Sequence, residues 1–176
     1  DTDPRGGIDY VRSLQKTLDT YQTGKIASVI GRYFAMDRDK RWPRVKKAYD
    51  LLVHGKGEAF DSAEAAIQAS YEAGVTDEFI EPRVITENGA PLAKLEAGDA
   101  ILFYNFRTDR GRQLTTVLTQ QDMPDQGMET LNFYYATMTR YDDTFKGVDV
   151  LYEKEAIVNG LGEYLSKQGK TQIRIA

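Results

Sequence analysis

Cysteine is absent from this chain, and histidine and tryptophan occur once each. Without thiols there is neither a disulfide framework nor a thiolate metal site. The lone histidine, His54, stands beside Gly55 at the end of a helical pattern, where such a residue is usually a terminal surface group rather than a base or ligand. No cluster of histidines and carboxylates has metal-ligand spacing, and no Gly-x-Ser-x-Gly elbow or Walker-type loop occurs. Long apolar runs are missing too. None approaches the roughly 20 residues of a membrane-spanning helix, and the first residues lack the basic-then-apolar build of a secretory signal. Positive charge is in deficit: 23 Lys and Arg against 27 Asp and Glu give a net charge of -4 and a pI near 5.1. A general nucleic-acid role, which needs a basic face, is disfavoured. The expectation is a cytoplasmic protein with no membrane or nucleic-acid partner and no metal site of its own.

What is present suits a packed fold. Hydrophobic residues make up 41% and charged residues 28% of 176 positions, which fits one domain with a proper core. Ile8, Val11, Leu14 and Leu18 recur at one-turn spacing and predict a helix to about Thr20. Lys25 to Ile30 reads as a short strand. Trp42, Val45, Tyr49 and Leu52 mark a second helix, with Pro43 in its first turn and His54-Gly55 at its stop. Asp61-Ser62-Ala63-Glu64 has the form of a capping box, with Asp61 expected to accept from the N–H of residue 64. Arg83 to Thr86 and Leu131 to Met138 read as strands, with Val148 to Tyr152 as a further candidate. Ile157 to Leu165 reads as the last helix, and Gln172 to Ala176 as a strand just begun. Ala100 to Phe106 is a near-continuous apolar run, expected to be a strand buried on both faces. Together these predict an α/β layered domain with a mostly buried mixed sheet flanked by helices. Asp1-Thr2-Asp3-Pro4 at one end and that nascent strand at the other suggest cuts in a longer polypeptide.

Arginine placement is the positive signal. Arg107-Thr108-Asp109-Arg110 follows the run ending at Phe106 and is expected to open the next helix, where both guanidiniums would face one side. Ligands gather at the carboxyl ends of strands, and arginine offers a rigid fork of donors to phosphate or carboxylate. The same spacing would also produce a pair of surface salt bridges with Asp109. Gly31 to Trp42 is a second loop after a strand, dense in arginine and aromatics. It reads either as a clamp for a small anion or as a solvated connector with Arg–Asp pairs. The Asp1 to Pro4 turn offers a carboxylate to a ligand hydroxyl, or is simply a truncated loop.

Read together, Gly31-Arg32-Tyr33-Phe34-Ala35-Met36-Asp37-Arg38-Asp39-Lys40-Arg41-Trp42 and Asn105-Phe106-Arg107-Thr108-Asp109-Arg110 resemble the two arginine motifs of the cofactor-independent phosphoglycerate mutases. Arg112-Gln113-Leu114-Thr115, Met138-Thr139, Tyr141-Asp142, Asn159, Leu161-Gly162-Glu163 and Gln172 to Ala176 extend the likeness along the chain. Asp1 looks like the last residue of that family's Asp-Gly-Arg-Asp loop.

The resemblance implies the inserted substrate-binding domain, residues 1–176, of a two-domain isomerase. It implies Asp1, Arg32, Arg38, Arg107 and Arg110 as contacts for 2- and 3-phosphoglycerate, and no catalytic residue within this stretch. The serine nucleophile, two divalent metal ions (manganese) and their ligands would belong to a phosphatase-like domain that is its partner. The family's histidine near the substrate, the loop arginine before Asp1 and the lysine after Arg-Ile-Ala have no counterpart here, and Phe34 replaces the commoner tyrosine. The alternative is a free-standing anion-binding or regulatory module of the same fold.

Overall fold

The computed structural model describes residues 2–153, 157–173 and 175. The α/β class is as expected, but the strands form two small sheets instead of one. Helix α1 (Gly7–Tyr21) follows the predicted stripe and turns Ile8 and Val11 inward. In the first sheet, β1 (Ser28–Val29) runs antiparallel to β3 (Arg83–Glu87), and β2 (Glu58–Phe60) runs parallel to it. A turn through Asn88 (φ 54°) and Gly89 (φ 79°) folds β4 (Ala90–Pro91) back onto β3. Positive φ at both central residues is the requirement of a tight hairpin, which Asn-Gly meets. Helix α4 (Ala63–Glu72) packs on this sheet and on α1 through Ala63, Ala66 and Ile67.

The cap of α4 corrects an expectation. Ser62, not Asp61, is the capping residue, and its Oγ accepts the N–H of Ala65 at 3.1 Å. The helix starts at Ala63, so only Ser62 has the extended backbone directly before it that aims a side chain at the free N–H groups. Such a cap contributes about 1 kcal/mol.

The second sheet is parallel throughout, in the order β5 (Ala100–Phe103), β6 (Tyr134–Thr139), β7 (Val148–Tyr152). Helix α3 (Trp42–His54) covers it together with α5 (Arg112–Thr115), which widens into a π-helical turn over Thr116–Gln120. Val45, Tyr49, Leu114, Val117, Leu118 and Tyr135 form the core between them. Pro43 and left-handed Gly55 bound α3 as predicted. The strand over β5 does not have both faces buried. Ile101 and Phe103 turn toward the core while Leu102 faces out.

Helix α6 (Leu161–Lys167) begins later than the pattern from Ile157 suggests, because Asn159 sits at φ 57° and Gly160 caps it. Gln172 and Ile173 lie outside any strand, while Arg174 and Ala176 lie outside the described residues. A short helix, α2 (Arg32–Ala35), opens the loop after β1. That loop and the one after β5 meet at one junction.

Candidate functional site

The loop after β1 is organised by its own carboxylate. Asp37 is only 4% exposed. Its Oδ2 accepts the backbone N–H of Asp39 at 3.0 Å and of Arg41 at 2.9 Å, and its Oδ1 takes the Arg41 guanidinium at 3.3 Å. Burial pushes this carboxyl's pKa up, but the two backbone donors and Arg41 together outweigh it and hold the group below its ordinary range. The turn fixes the backbone on both sides of Arg38. Gly31 opens the loop with no room to spare: a Cβ there would lie 2.3 Å from the Glu78 carbonyl oxygen.

The loop after β5 is organised from outside. The Tyr141 hydroxyl, at the end of β6, donates to the Asn105 carbonyl at 2.6 Å, and burial pushes its pKa up to about 12. Thr139 donates to the Phe106 carbonyl at 2.8 Å, and Arg112 returns its Nε–H to the Tyr141 carbonyl at 2.6 Å. Gly111 passes so close to the Tyr141 ring that a Cβ would lie 2.4 Å from it.

Arg107 and Arg110 therefore sit in an irregular turn before α5, and not on its first helical turn as expected. The chain must first clear Tyr141 through Gly111 before a helix can start.

Asp109 joins the two loops. Arg107 donates Nε–H and Nη2–H to its two oxygens at 2.7 and 3.0 Å, and Arg38 donates Nη1–H to Oδ2 at 2.9 Å. The hydrogen bonds from Arg107, then from Arg38, hold the Asp109 carboxyl well below the usual carboxylate range. Arg110 reaches across and donates Nη1–H to the Met36 carbonyl at 2.9 Å, the residue that ends α2. Arg38, Arg107 and Arg110 are thus drawn to one junction.

Arg32 is placed differently. It pairs with Glu78 at 3.0 Å and lines a cavity of about 490 Å³ with Thr2, Asp3 and Asp77. Asp1 lies outside the described residues; its neighbours Thr2 and Asp3 border this same cavity.

On the other side of Arg38 and Asp109 a cavity of about 740 Å³ opens, bounded also by Trp42, Arg112, Gln113 and Lys146. A larger hollow of about 890 Å³ between α1 and β3 carries Asp19, Asp61 and Glu87 against Lys25. Its charge is wrong for an anion.

Sequence reasoning named Asp109 as a salt-bridge partner but passed over Asp37 as the organiser of its loop and over the link from Asp109 to Arg38. The signal for Asp37 is its residue type in a loop, since an Asp side chain there can accept the N–H two residues on in an Asx turn, as it does from Asp39. Nothing local marks the Tyr141 contact.

The arrangement defines an α/β domain in which Arg38, Arg107 and Arg110 meet around Asp109 at the carboxyl ends of strands. A sequence family described as "BPG-independent PGAM N-terminus" matches residues 1–143. The chain is 55% identical to the 2,3-bisphosphoglycerate-independent phosphoglycerate mutase of Parabacteroides distasonis, over all of this chain and 35% of that protein. The corresponding enzymes of Flavobacterium psychrophilum and Clostridium novyi are 52% and 47% identical, with 35% and 34% of their lengths covered. A crystal structure of Leishmania mexicana phosphoglycerate mutase at low cobalt concentration superposes with a TM-score of 0.78 at 29% identity, covering 93% of this chain and 32% of that one. The chain belongs to the 2,3-bisphosphoglycerate-independent phosphoglycerate mutase family, and it spans about a third of the length of the relatives it matches.

Proposed function

We propose that residues 1–176 are the substrate-holding domain of a mutase that interconverts 3-phosphoglycerate and 2-phosphoglycerate in the cytoplasm, as part of glycolysis and gluconeogenesis. The observation that carries this reading is Asp109 shared by Arg38 and Arg107, two guanidiniums from loops far apart in sequence. A carboxylate already sits where a carboxylate or phosphate of the substrate would be gripped, and each arginine keeps N–H groups that Asp109 does not use.

In such a reaction the phosphoryl group leaves the substrate for a serine and returns to the other hydroxyl. Glycerate must stay in place between the two transfers. Arg38, Arg107 and Arg110 supply that hold by neutralising charge and fixing orientation, with Arg32 as a further contact from the neighbouring cavity and Asp1, outside the described residues, as a contact that rests on the motif resemblance alone.

The serine and the metal pair, taken to be manganese, are assigned to a phosphatase-like domain elsewhere in the polypeptide. Among the described residues no group of three or more His, Cys, Asp or Glu is placed to hold a metal ion. Among those residues no helix is long and apolar enough to cross a membrane.

The experiment is steady-state turnover of 3-phosphoglycerate by the full-length enzyme. Arg107→Ala and Arg110→Ala are expected to lower kcat/KM at least about 100-fold, some 2.7 kcal/mol of transition-state stabilisation, with unchanged circular dichroism. Wild-type turnover in both variants would refute the assignment.

A further inference from the structure

Neither arginine loop depends on Asp109 for its shape. The Asp37 turn fixes the backbone around Arg38, and the Tyr141 and Thr139 hydroxyls hold the backbone before Arg107. Among the described residues the Asp109 carboxylate accepts from Arg38 and Arg107 and from no backbone N–H. It stands in a turn outside any helix or strand. These pairs are also open to water: the Asp109 side chain is 32% exposed, that of Arg38 46% and that of Arg107 68%. Ion pairs so exposed add little to stability. A structural brace would be built otherwise.

The contacts suit a stand-in for a ligand. Two guanidiniums left facing one another repel, and a carboxylate between them keeps them together. Asp109 takes the Nε–Nη2 edge of Arg107 with both its oxygens, which is the fork by which arginine grips a carboxylate or phosphate. An anion seeking that edge must displace it. The N–H groups left over admit the ligand first, and the edge is completed once Asp109 has gone.

Room for the displaced group is at hand. Asp109 borders the cavity of about 740 Å³, whose wall also carries Lys40, Arg112 and Lys146. Among the described residues Lys40 and Lys146 form no ion pair, and Arg112 uses only its Nε–H, chiefly on the Tyr141 carbonyl.

We propose that Asp109 is a displaceable surrogate for the substrate's anionic group, holding Arg38 and Arg107 together in the empty site and turning into the cavity beside Lys40 and Lys146 when the ligand arrives. Its return as the ligand leaves gives both guanidiniums a partner again. The inference rests on the reading of this junction as the phosphoglycerate grip, and its test separates the two.

That test is calorimetric titration of 3-phosphoglycerate into the full-length protein, comparing wild type with Asp109→Asn, Asp39→Asn and Arg107→Ala. Removing an internal competitor raises the fraction of protein ready to bind, so Asp109→Asn is expected to lower Kd by about fivefold or more. Asp109→Ala should act in the same sense, with circular dichroism unchanged in both. Asp39→Asn is the charge control. It removes one negative charge beside Arg38, from a carboxylate paired with Arg41, and should change Kd by less than about twofold.

Unless Kd falls at least about threefold further in Asp109→Asn than in Asp39→Asn, the proposal is overturned, because net charge alone would account for the change. Arg107→Ala shows which reading has failed. Weaker binding there, without a gain in Asp109→Asn, removes the displacement and leaves the grip standing. Wild-type binding in Arg107→Ala removes both.

Discussion

The two loops that carry the arginines are built in opposite ways. The loop after β1 holds itself: Asp37 folds back onto the N–H groups of Asp39 and Arg41, four residues of local chain. The loop after β5 is held from a distance by Tyr141 and Thr139, more than 30 residues further on. Each ends by presenting a guanidinium to Asp109. The lesson is that one charge arrangement can rest on a short-range turn on one side and on tertiary packing on the other. The first should survive local perturbation of the second sheet. The second should not.

Glycine substitutions break the comparison most sharply. Gly31→Ala drives a Cβ onto the Glu78 backbone, which cannot swing away, whereas Gly111→Ala meets a Tyr141 ring that has some freedom to shift. Gly31→Ala is expected to cost about 3 kcal/mol, at the upper end for an overpacked site, and Gly111→Ala less. Urea midpoints of the two variants check the order; a larger loss at Gly111 would reverse the account of which loop is more rigidly seated.

A smaller effect sharpens the local half of the comparison. Asp37→Asn removes a charged acceptor and should cost about 2 kcal/mol at neutral pH. Because the folded carboxyl titrates below its unfolded value of 3.8, its contribution is fully present above that pH and is lost as pH falls through the lower folded value. The stability gap between wild type and Asp37→Asn should therefore stay constant from pH 7 to about 5 and narrow below about 4. A gap that widened on acidification would contradict the stated sign.

What could be read from residue order follows the same division. The stripe of Ile8, Val11, Leu14 and Leu18, the Pro43 start and Gly55 stop of α3 and the whole of β7 are set by neighbours in sequence, and all were legible. β2 was missed because Glu58-Ala59-Phe60 has neither branched residues nor alternation; its pairing with β3 decides it.

The division of the strands into two sheets is likewise a matter of partners. So is the open face of β5, since an apolar run looks the same whether one side or two are covered. For the site, both arginine clusters stand out by residue type and by their place after strands, their substrate role comes from resemblance, and an Asp in a loop is a local pointer to Asp37. The convergence of Arg38 with Arg107 depends on Tyr141 and Gly111 meeting across the second sheet, and no local pattern records that.

The central claim is that Arg38 and Arg107 serve a single anion. Calorimetric titration of 3-phosphoglycerate into the full-length protein tests it without requiring turnover. Arg38→Ala and Arg107→Ala should each raise Kd at least tenfold, about 1.4 kcal/mol. An unchanged Kd on removal of either arginine would contradict the account.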